Sequence, residues 1–536
     1  MGKTPKIEVS IENGVWLRIS SISIDSGSIQ MELKEAFSYL APNYRFDPRF
    51  KRKQWDGYIA LYNLASKQMY LGLISDFYEF CAARDYRLAI ADESRDNALK
   101  YLSSQELTEE DVHILDKQIP KKYDLRDYQA QSIKYAIENK RCLISSSVGS
   151  GKSLIIYTLS LWYLIKHYAV EQQKVLIVVP TVNLVSQMKS DFIEYAENNI
   201  EDFDETIHCI FSGQEKINIS KYTIVISTFQ SLTTKNIPHE WFKQFGMIIV
   251  DEAHRGAIKS LSNILEKTDE AVYRIGTSGS IDINNKNNSI LTQQTLKGLF
   301  GSTYQAITTK QLQDRDQLAQ LQIDCVILKY PKEIGQKLTQ MNKKASKEKP
   351  QEKFQNELDI ILDSANRNKL IADYVVNKLE GNTLILFRFI KKHGEPLFKT
   401  IQNLAQEVDS KKKIHFVSGA TPAEDRETIR KLVDRTSNNV LVSSIQVFSE
   451  GINIPELHNV VFAMTNKSHT KVIQSIGRGL RIAKNGQATK VIDFIDDIFA
   501  YKKSQNNYCV NHALQRMQYY EQEQFKYRII DVPFIP

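Results

Sequence analysis

Cysteine is scarce in this chain, and its placement excludes several classes of protein. Five cysteines are spread over 536 residues, with no Cys-x-x-Cys pair and no Cys/His cluster at the spacing of a zinc site. An odd number of widely separated cysteines is typical of a protein that folds in a reducing compartment. The sequence therefore predicts neither a disulfide framework nor a structural zinc ion.

Long hydrophobic runs are also absent. The longest, residues 154–165, includes Ser and Thr and ends at Lys166, well short of the roughly 18 to 20 apolar residues that a membrane span requires. The first residues carry Lys3 and Lys6 before a polar stretch, so they lack the apolar segment of a signal peptide. We expect a protein of the cytoplasm, or of the host cytoplasm if it is viral, with no membrane partner.

The overall composition is that of a folded, water-soluble chain. Apolar residues make up 42% and charged residues 25% of the sequence. A chain of 536 residues is too long for one hydrophobic core and indicates several domains of roughly 100 to 200 residues each. The net charge of +7 is compatible with a polyanionic partner but is weak evidence alone.

Two series of short β-branched runs alternate with segments of helical period, which is the pattern of parallel sheets with crossover helices. One series lies between residues 125 and 318 and the other between residues 383 and 493. We predict an α/β fold with two parallel-sheet lobes in tandem, preceded by a small α+β domain. The predicted domains are residues 1–105 (small DNA-binding domain), 106–325 (first lobe), 326–355 (charged, solvated and mobile connection), 356–500 (second lobe) and 501–536 (helical tail).

A phosphate-binding loop is predicted at residues 146–153, which read Ser-Ser-Val-Gly-Ser-Gly-Lys-Ser between an apolar strand and an apolar helix. Glycines let the backbone turn its N–H groups towards phosphate oxygens, and the dipole of the following helix adds positive potential. Lys152 is predicted to reach the β- and γ-phosphates and Ser153 to bind Mg²⁺. The residues predicted to hold the nucleotide are Gly149, Ser150, Gly151, Lys152 and Ser153. A Gly/Ser-rich turn is the alternative for this motif taken alone.

Two adjacent acids follow the predicted strand at residues 247–250. Asp251 and Glu252 begin the run Asp-Glu-Ala-His, at the carboxyl end of a strand, where parallel sheets bind their ligands. Asp251 is predicted to hold Mg²⁺, directly or through water, and Glu252 to accept a proton from the attacking water. A solvated acidic pair is the alternative, but it would not explain the phosphate loop upstream. The two motifs together predict nucleotide hydrolysis.

A phosphate loop followed by Asp-Glu-Ala-His resembles the superfamily 2 helicases, whose fold is two RecA-like lobes. Most of residues 120–500 can be matched to that family's ordered motifs. Residues 125–129, Leu-Arg-Asp-Tyr-Gln, resemble the adenine-recognising segment. The resemblance implies ATP as the nucleotide, with Gln129 reading the base edge and Arg126 beside it.

Further segments resemble the family's nucleic-acid and coupling motifs. Residues 180–187 are similar to motif Ia and residues 227–232 to motif Ib or Ic, which implies that Thr181 and Thr228 contact the nucleic-acid backbone. Hydroxyl and N–H groups at helix starts are natural partners of phosphate oxygens, and such contacts position a strand without reading its sequence. Ser278, in a segment similar to motif III, is a candidate for coupling hydrolysis to lobe movement.

Residues 474–481 read Gln-Ser-Ile-Gly-Arg-Gly-Leu-Arg and resemble motif VI of the family. Gln474, Arg478 and Arg481 fall at positions i, i+4 and i+7, so on a helix they share one face. An ordinary basic helix face is the alternative. An arginine from the second lobe would reach the γ-phosphate only when the lobes close, and Gly451, in a motif V-like segment, would also contact the nucleotide. The predicted catalytic residues are Lys152, Glu252, Gln474, Arg478 and Arg481.

A basic and aromatic cluster lies at residues 44–58, where five basic and five aromatic side chains fall within fifteen positions. Basic side chains pair with phosphates, and aromatic faces stack on exposed bases. The alternative is a turn whose aromatics form the core of a small domain, and we expect Phe46 and Trp55 to face inwards with the basic residues outside. The predicted DNA contacts in this cluster are Arg45, Arg49, Lys53 and Trp55.

This cluster, the Leu-Gly-Leu at residues 71–73 and the ending at residues 493–497 together resemble phage helicases of superfamily 2 that act on branched DNA. The resemblance covers nearly the whole chain. It implies an ATP-dependent DNA helicase or translocase that unwinds or branch-migrates Holliday junctions, forks and R-loops in recombination, repair and replication restart. The expected partners are branched DNA, RNA within R-loops, and recombination or single-strand-binding proteins, and we expect a monomer.

Other functions fit the same motifs. A restriction-type translocase shares the lobes and the Asp-Glu-Ala-His box, but such subunits usually carry a nuclease domain, for which the predicted domains leave no room. An RNA helicase is another alternative, because contacts to the 2′-OH depend on three-dimensional shape. A protein of a different class, an ATP-gated nucleic-acid clamp, would bind without separating strands. Intact Lys152, Glu252 and Arg478 argue against an inactive enzyme.

Overall fold

The structure, a computed structural model, divides the chain into two compact units. The first comprises residues 1–147 and 151–307, and the second residues 148–150 and 308–536. Within these units, the residues described are 4–42, 44–118, 123–196, 202–211, 218–233, 237–255, 258–279, 290–344, 350–445, 447, 457–464, 472, 475–477, 488–502 and 504–536.

The first unit begins with a small α+β region. Its strands are β1 (Lys6–Ile11), β2 (Trp16–Ile22), β3 (Ser38–Leu40), β4 (Tyr58–Ala60), β5 (Tyr62–Asn63), β6 (Gln68–Tyr70) and β7 (Arg87–Ile90). Its helices are α1 (Ser26–Ala36), α2 (Pro48–Lys51), α3 (Ile74–Ala82) and α4 (Arg95–Leu102). Five strands form a mixed sheet in the order β5-β6-β2-β1-β7, and β3 pairs with β4 in a separate antiparallel hairpin.

Hydrophobic periodicity explains these elements. In β1 the alternate residues Ile7, Val9 and Ile11 are buried, because successive side chains of a strand point to opposite faces of the sheet. In α1 the buried residues are Ile29 and Leu33, which are four positions apart and so share one helix face. The sheet and its helices thus bury one apolar face each.

The rest of the first unit is a parallel α/β lobe. Its strands are β8 (Arg141–Ser146), β9 (Lys174–Val179), β10 (Ile207–Ile210), β11 (Ile224–Thr228), β12 (Phe245–Val250), β13 (Tyr273–Ser278) and β14 (Thr303–Ile307). The helices are α5 (Glu109–Gln118), α6 (Asp127–Asn139), α7 (Lys152–Tyr163), α8 (Ala169–Glu171), α9 (Val182–Ala196), α10 (Phe229–Thr233), α11 (His239–Phe242), α12 (Ile258–Lys267) and α13 (Ile290–Phe300). All seven strands are parallel, in the order β10-β11-β9-β12-β13-β8-β14.

The second unit contains another seven-stranded parallel sheet. Its strands are β15 (Leu321–Lys329), β16 (Thr383–Phe387), β17 (Lys413–Val417), β18 (Asn439–Ser444), β19 (Asn459–Phe462), β20 (Thr489–Asp497) and β21 (Tyr527–Pro533), in the order β17-β18-β16-β19-β20-β15-β21. The helices are α14 (Thr309–Asp314), α15 (Lys332–Lys344), α16 (Pro350–Leu362), α17 (Ala365–Asp373), α18 (Glu395–Glu407), α19 (Ala423–Arg435) and α20 (Tyr508–Gln522). The predicted fold class, two parallel-sheet lobes after an α+β region, is confirmed. No helix in the described ranges is long and apolar enough to span a membrane.

Two segments differ in form from what the sequence analysis predicted. The stretch 326–355, predicted as a mobile connection, contains the end of β15 and the helix α15. Among the lysines of α15 stand two apolar residues one helical turn apart, Ile334 and Leu338. Both pack into the hydrophobic core of the second unit. The tail after residue 501 forms α20 as predicted, but it also adds β21 to the edge of the sheet. The predicted domain limits stay a prediction.

The amino-terminal region and the first lobe share one hydrophobic core. Val9, Leu17 and Phe77 of the α+β region belong to the same buried cluster as Leu296 and Phe300 of α13. We expected a separate small domain at this place; its sheet is separate, but its core is continuous with that of the lobe. A cluster of this kind usually identifies one folding core.

Polar contacts reinforce this joint. The Tyr70 hydroxyl donates to Glu266 on α12 at 2.7 Å, and the Lys297 ammonium on α13 lies 2.7 Å from the Asp76 carboxylate. The buried Arg141 guanidinium donates to the carbonyl oxygen of Gly14. The amino-terminal region is therefore fixed on α12 and α13 rather than tethered by a linker.

Candidate functional site

The phosphate loop leaves β8 after Ser146 and enters α7 at Lys152. Gly149 and Gly151 have φ angles of 83° and 81°, in the left-handed region that favours glycine. A Cβ atom at Gly151 would also lie 2.4 Å from the Gln129 amide nitrogen. The backbone conformation therefore favours glycine at position 151, and a methyl group there would also displace the end of the Gln129 side chain.

Lys152 and Ser153 occupy the first turn of α7. The Lys152 ammonium lies 3.9 Å from a Glu252 carboxylate oxygen and donates to the carbonyl oxygen of Ser146 at 3.4 Å. The hydroxyl oxygens of Ser153 and Tyr195 are 2.9 Å apart. The structure thus places a cation and a hydroxyl together at a helix N-terminus, an arrangement that attracts phosphate.

Asp251 follows β12 and faces the end of β13. Its carboxylate accepts hydrogen bonds from the Thr277 hydroxyl at 2.6 Å and from the backbone N–H of Glu252 at 2.9 Å. Removal from solvent raises the pKa of Asp251, the Glu252 carboxylate raises it further, and Lys152 works in the opposite direction. A bound cation would relieve this cost of ionising Asp251.

The donor set at this place suits Mg²⁺. Among the described residues, no group of three or more His, Cys, Asp or Glu side chains could hold a metal ion alone. Mg²⁺ is commonly held by one or two carboxylates together with substrate phosphates and waters. The Asp251 carboxylate and the Ser153 hydroxyl lie beside the phosphate loop, so they fit a site in which phosphates and waters supply the remaining ligands of Mg²⁺.

Glu252 adopts a backbone conformation that is rare for a side-chain-bearing residue, with φ of 51°. Such conformations cluster at functional sites, where the surrounding structure maintains them. A Glu252 carboxylate oxygen lies 3.4 Å from His254 Nδ1, and that nitrogen is 2.5 Å from the Ser278 hydroxyl. His254 therefore lies between the Glu252 carboxylate and the end of β13, to which it is hydrogen-bonded through Ser278.

Gln129 lies close to the phosphate loop but is engaged with protein groups. Its side chain, only 4% exposed, donates to the carbonyl oxygen of Gly151 at 3.4 Å and accepts from the backbone N–H of Arg126 at 3.0 Å. Arg126 donates to the Tyr128 hydroxyl at 2.8 Å. The hydrogen bonds to Gly151 and Arg126 hold the Gln129 amide beside the phosphate loop.

The two threonines predicted to contact nucleic acid are placed differently. Thr181 is half-buried and lies just before α9, where its hydroxyl faces the N–H of Leu184. Thr228 is 1% exposed, and its oxygen accepts from the N–H of Ser231 at 3.1 Å, so its side chain serves the start of α10. The surface position of Thr181 favours a strand contact more than that of Thr228.

The basic and aromatic cluster forms an open groove of about 800 Å³, which we call the basic groove. Its lining residues are Arg45, Phe50, Lys51, Lys53, Gln54, Trp55 and Asp56. Trp55 is half-buried and donates to the carbonyl oxygen of Tyr58 at 2.7 Å. The basic side chains of the groove are exposed, as expected; the side chain of Phe46 lies outside the described part.

Arg49 lies beside this groove but is partly neutralised. Its guanidinium makes two hydrogen bonds to Asp47, at 3.2 and 2.9 Å, and lies 4.8 Å from the centre of the Trp55 ring. The arginine thus supports the tryptophan through a cation–π contact. Arg45 and Lys53 carry the more available positive charge.

Four predicted residues of the second lobe, Gly451, Gln474, Arg478 and Arg481, lie outside the described residues. The sequence analysis missed three that the structure brings to the site, which are Tyr195, His254 and Thr277. Both Thr277 and His254 stand inside segments that were singled out: Thr277 directly precedes Ser278, and His254 is two positions after Glu252. Tyr195 lies in no such segment, and the sequence alone gave no sign of its position.

Three family models match this chain. The model described as "Type III restriction enzyme, res subunit" matches residues 122–282, "DNA helicase UvsW, N-terminal" matches residues 16–91, and "Helicase conserved C-terminal domain" matches residues 366–483. With two parallel-sheet lobes, a phosphate loop and Asp-Glu-Ala-His, these matches define a superfamily 2 helicase.

The ATP-dependent DNA helicase UvsW of Enterobacteria phage T4 is 32% identical over 514 residues, which cover 92% of this chain and 94% of the relative. The chain belongs to the UvsW family of ATP-dependent DNA helicases. The crystal structure of T4 UvsW matches at 29% identity, covering 99% of this chain and 100% of that one, with a TM-score of 0.47. The structure of the ATP-dependent Type ISP restriction-modification enzyme LlaBIII bound to DNA is similar in fold, at 16% identity and a TM-score of 0.55, over 96% of this chain and 41% of that one.

Proposed function

We propose that this helicase couples ATP hydrolysis to the unwinding or branch migration of branched DNA, such as Holliday junctions, forks and R-loops, in recombination, repair and replication restart. The observation that carries the proposal is the basic groove, which lies on a region whose core is continuous with that of the ATPase lobe. DNA held in such a groove would keep a fixed place relative to the phosphate loop.

At the nucleotide site, the backbone N–H groups of Gly149, Ser150 and Gly151 would surround the phosphates of ATP, and Lys152 would reach the β- and γ-phosphates. Ser153 and Asp251 would hold Mg²⁺, which neutralises phosphate charge when it is bound. The proximity of Lys152 to Glu252 at 3.9 Å supports this assignment, since both groups then face the γ-phosphate.

Glu252 is proposed as the general base. Its carboxylate lies 3.9 Å from the Lys152 ammonium and 3.4 Å from His254 Nδ1, a position from which it can accept a proton from a water that attacks the γ-phosphate. By family resemblance, Gln474, Arg478 and Arg481 of the second lobe would complete the site, with Gly451 as a further nucleotide contact. Gln129 and Arg126 are proposed to bind the adenine end.

At the basic groove, Arg45 and Lys53 are proposed to pair with DNA phosphates and Trp55 to present a face for base stacking. Arg49 is proposed to support Trp55, given its contacts with that ring and with Asp47. Thr181 and Thr228 remain proposed backbone contacts, with Thr181 the better placed. We also propose a monomer in the cytoplasm, with recombination or single-strand-binding proteins as candidate partners.

The test is a gel assay of the purified protein with ATP on a four-way junction, a fork, an RNA–DNA hybrid and a plain duplex. We expect ATP-dependent processing of the branched substrates and loss of it in Glu252→Gln, which should retain DNA binding. Activity on plain duplex alone would refute the branched-DNA proposal, and activity on RNA duplex alone would favour an RNA helicase. Unaltered hydrolysis in Glu252→Gln would contradict its role as the base.

The basic groove is tested separately by the salt dependence of DNA binding. Each phosphate contact contributes about −0.9 to the slope of log K against log salt. The double variant Arg45→Ala/Lys53→Ala should therefore make this negative slope shallower by about 2. Lys34→Ala is the matched control, because Lys34 is an exposed cation on α1 that does not line the groove. An equal change in the control would contradict a specific role for the groove.

A further inference from the structure

A hydrogen bond joins the phosphate loop to a helix that the proposed mechanism does not use. The Ser153 and Tyr195 hydroxyl oxygens are 2.9 Å apart. Ser153 lies in the first turn of α7, whereas Tyr195 lies in the last turn of α9. The contact therefore links the helix that follows β8 to the helix that follows β9, and it does so at a proposed metal ligand.

Aromatic packing fixes the position of the Tyr195 ring. The ring lies edge-on against Tyr123 and Tyr157, with centroid separations of 5.3 and 5.4 Å. Tyr157 follows Ser153 by one helical turn, and it also packs edge-on against Phe192 at 5.3 Å. Edge-to-face pairs at these separations are favourable. Because this cluster joins α7 to α9, the Tyr195 hydroxyl is held next to Ser153.

The contact with Tyr195 bears on how the Ser153 hydroxyl can bind a metal ion. A hydroxyl that binds Mg²⁺ offers an oxygen lone pair, so its proton must point towards another acceptor. We propose that Tyr195 is a positioning residue that accepts the Ser153 proton and thereby turns the serine lone pair towards the metal. This inference rests on the proposed function, since it takes Ser153 as a ligand of Mg²⁺. It also makes α9, which begins one residue after Thr181, part of the nucleotide site.

The experiment measures Mg²⁺-dependent binding of a fluorescent, non-hydrolysable ATP analogue, which does not depend on turnover. Tyr195→Phe removes one oxygen and keeps the ring in its aromatic cluster. We expect the half-saturating Mg²⁺ concentration to rise by about three- to tenfold, the range for one lost hydrogen bond. Binding of the analogue without Mg²⁺ should stay unchanged.

Tyr123→Phe is the matched control, because the Tyr123 hydroxyl donates to Glu194 from the same cluster. It should bind Mg²⁺ and nucleotide like the wild type. In a Ser153→Ala background, Tyr195→Phe should have no further effect. An unchanged Mg²⁺ requirement in Tyr195→Phe, or an equal rise in Tyr123→Phe, would overturn the inference. Absence of Mg²⁺-dependent nucleotide binding in the wild type would instead overturn the proposed function.

Discussion

Replacement of Gly72 by alanine is expected to loosen the amino-terminal region from the first lobe. A methyl group at this position would lie 2.2 Å from the carbonyl oxygen of Lys297 and 2.5 Å from that of Gly298. An unstrained carbon–oxygen contact is about 3.3 to 3.6 Å, so the two segments must separate by about 1 Å. Both obstacles are backbone atoms, which cannot rotate away. Overpacking of this kind costs about 1 to 3 kcal/mol.

Thermal unfolding of the full chain measures this loss. For a unit of this size, a loss of 1 kcal/mol lowers the melting temperature by about 2 °C. The melting temperature of the first unit should therefore fall by about 2 to 6 °C. Gly27→Ala is the matched control, because nothing lies within 4 Å of a methyl group there and Gly27 stands inside α1. Its melting temperature should be unchanged or slightly raised. Equal melting temperatures for the two variants would refute the argument from close approach.

Three further predictions concern the buried ion pair of the second unit, a carboxylate of the first and the motif VI arginines. Asp493→Asn removes the negative charge that faces the buried Arg516 guanidinium, whose nitrogens lie 2.7 and 2.8 Å from the Asp493 carboxylate oxygens. Urea unfolding should show a loss of about 3 to 5 kcal/mol, and a loss below about 1 kcal/mol would contradict this. Burial opposes ionisation of Asp111, but hydrogen bonds from a threonine, an indole and a lysine outweigh it and lower its pKa to about 2. The ionised Asp111 carboxylate thus contributes about 2 kcal/mol to the free energy of unfolding above about pH 5, and this contribution is lost as the pH falls towards 2. Asp111→Asn should flatten the pH dependence of the unfolding free energy between these pH values, and an unaltered curve would count against the prediction. Arg478→Ala and Arg481→Ala are each expected to abolish ATP hydrolysis while sparing ATP binding, and wild-type turnover in both would exclude the arginine-finger role.

The parallel-sheet lobes could be predicted because their central strands are buried on both faces. Residues 174–179 read Lys-Val-Leu-Ile-Val-Val, and all six are buried in β9. A continuous β-branched run between helical segments is typical of a parallel strand that helices cover on both faces. The position of Asp251 followed from the same pattern, since a residue that ends a parallel strand lies at the ligand-binding edge.

Features that depend on contacts distant in sequence could not be predicted. The charge-rich composition of α15 suggested a mobile connection, yet Ile334 and Leu338 suffice to bury one face of a helix. Thr228 carries a hydroxyl in a motif-like segment, but the fold uses it to cap α10. The hydrogen bond between Ser153 and Tyr195 spans 42 positions, and no local pattern in the sequence indicates such a pair.

The shared core of the first unit has a consequence for protein engineering. An amino-terminal region joined to its motor by a flexible linker could be exchanged between relatives at that linker. Here Gly72 and Tyr70 are shaped to fit α13, with Gly298 accommodating the Tyr70 ring. A chimaera that exchanges this region between relatives must therefore carry α12 and α13 with it, since a junction that separates the region from these helices would bring together apolar surfaces that do not fit each other.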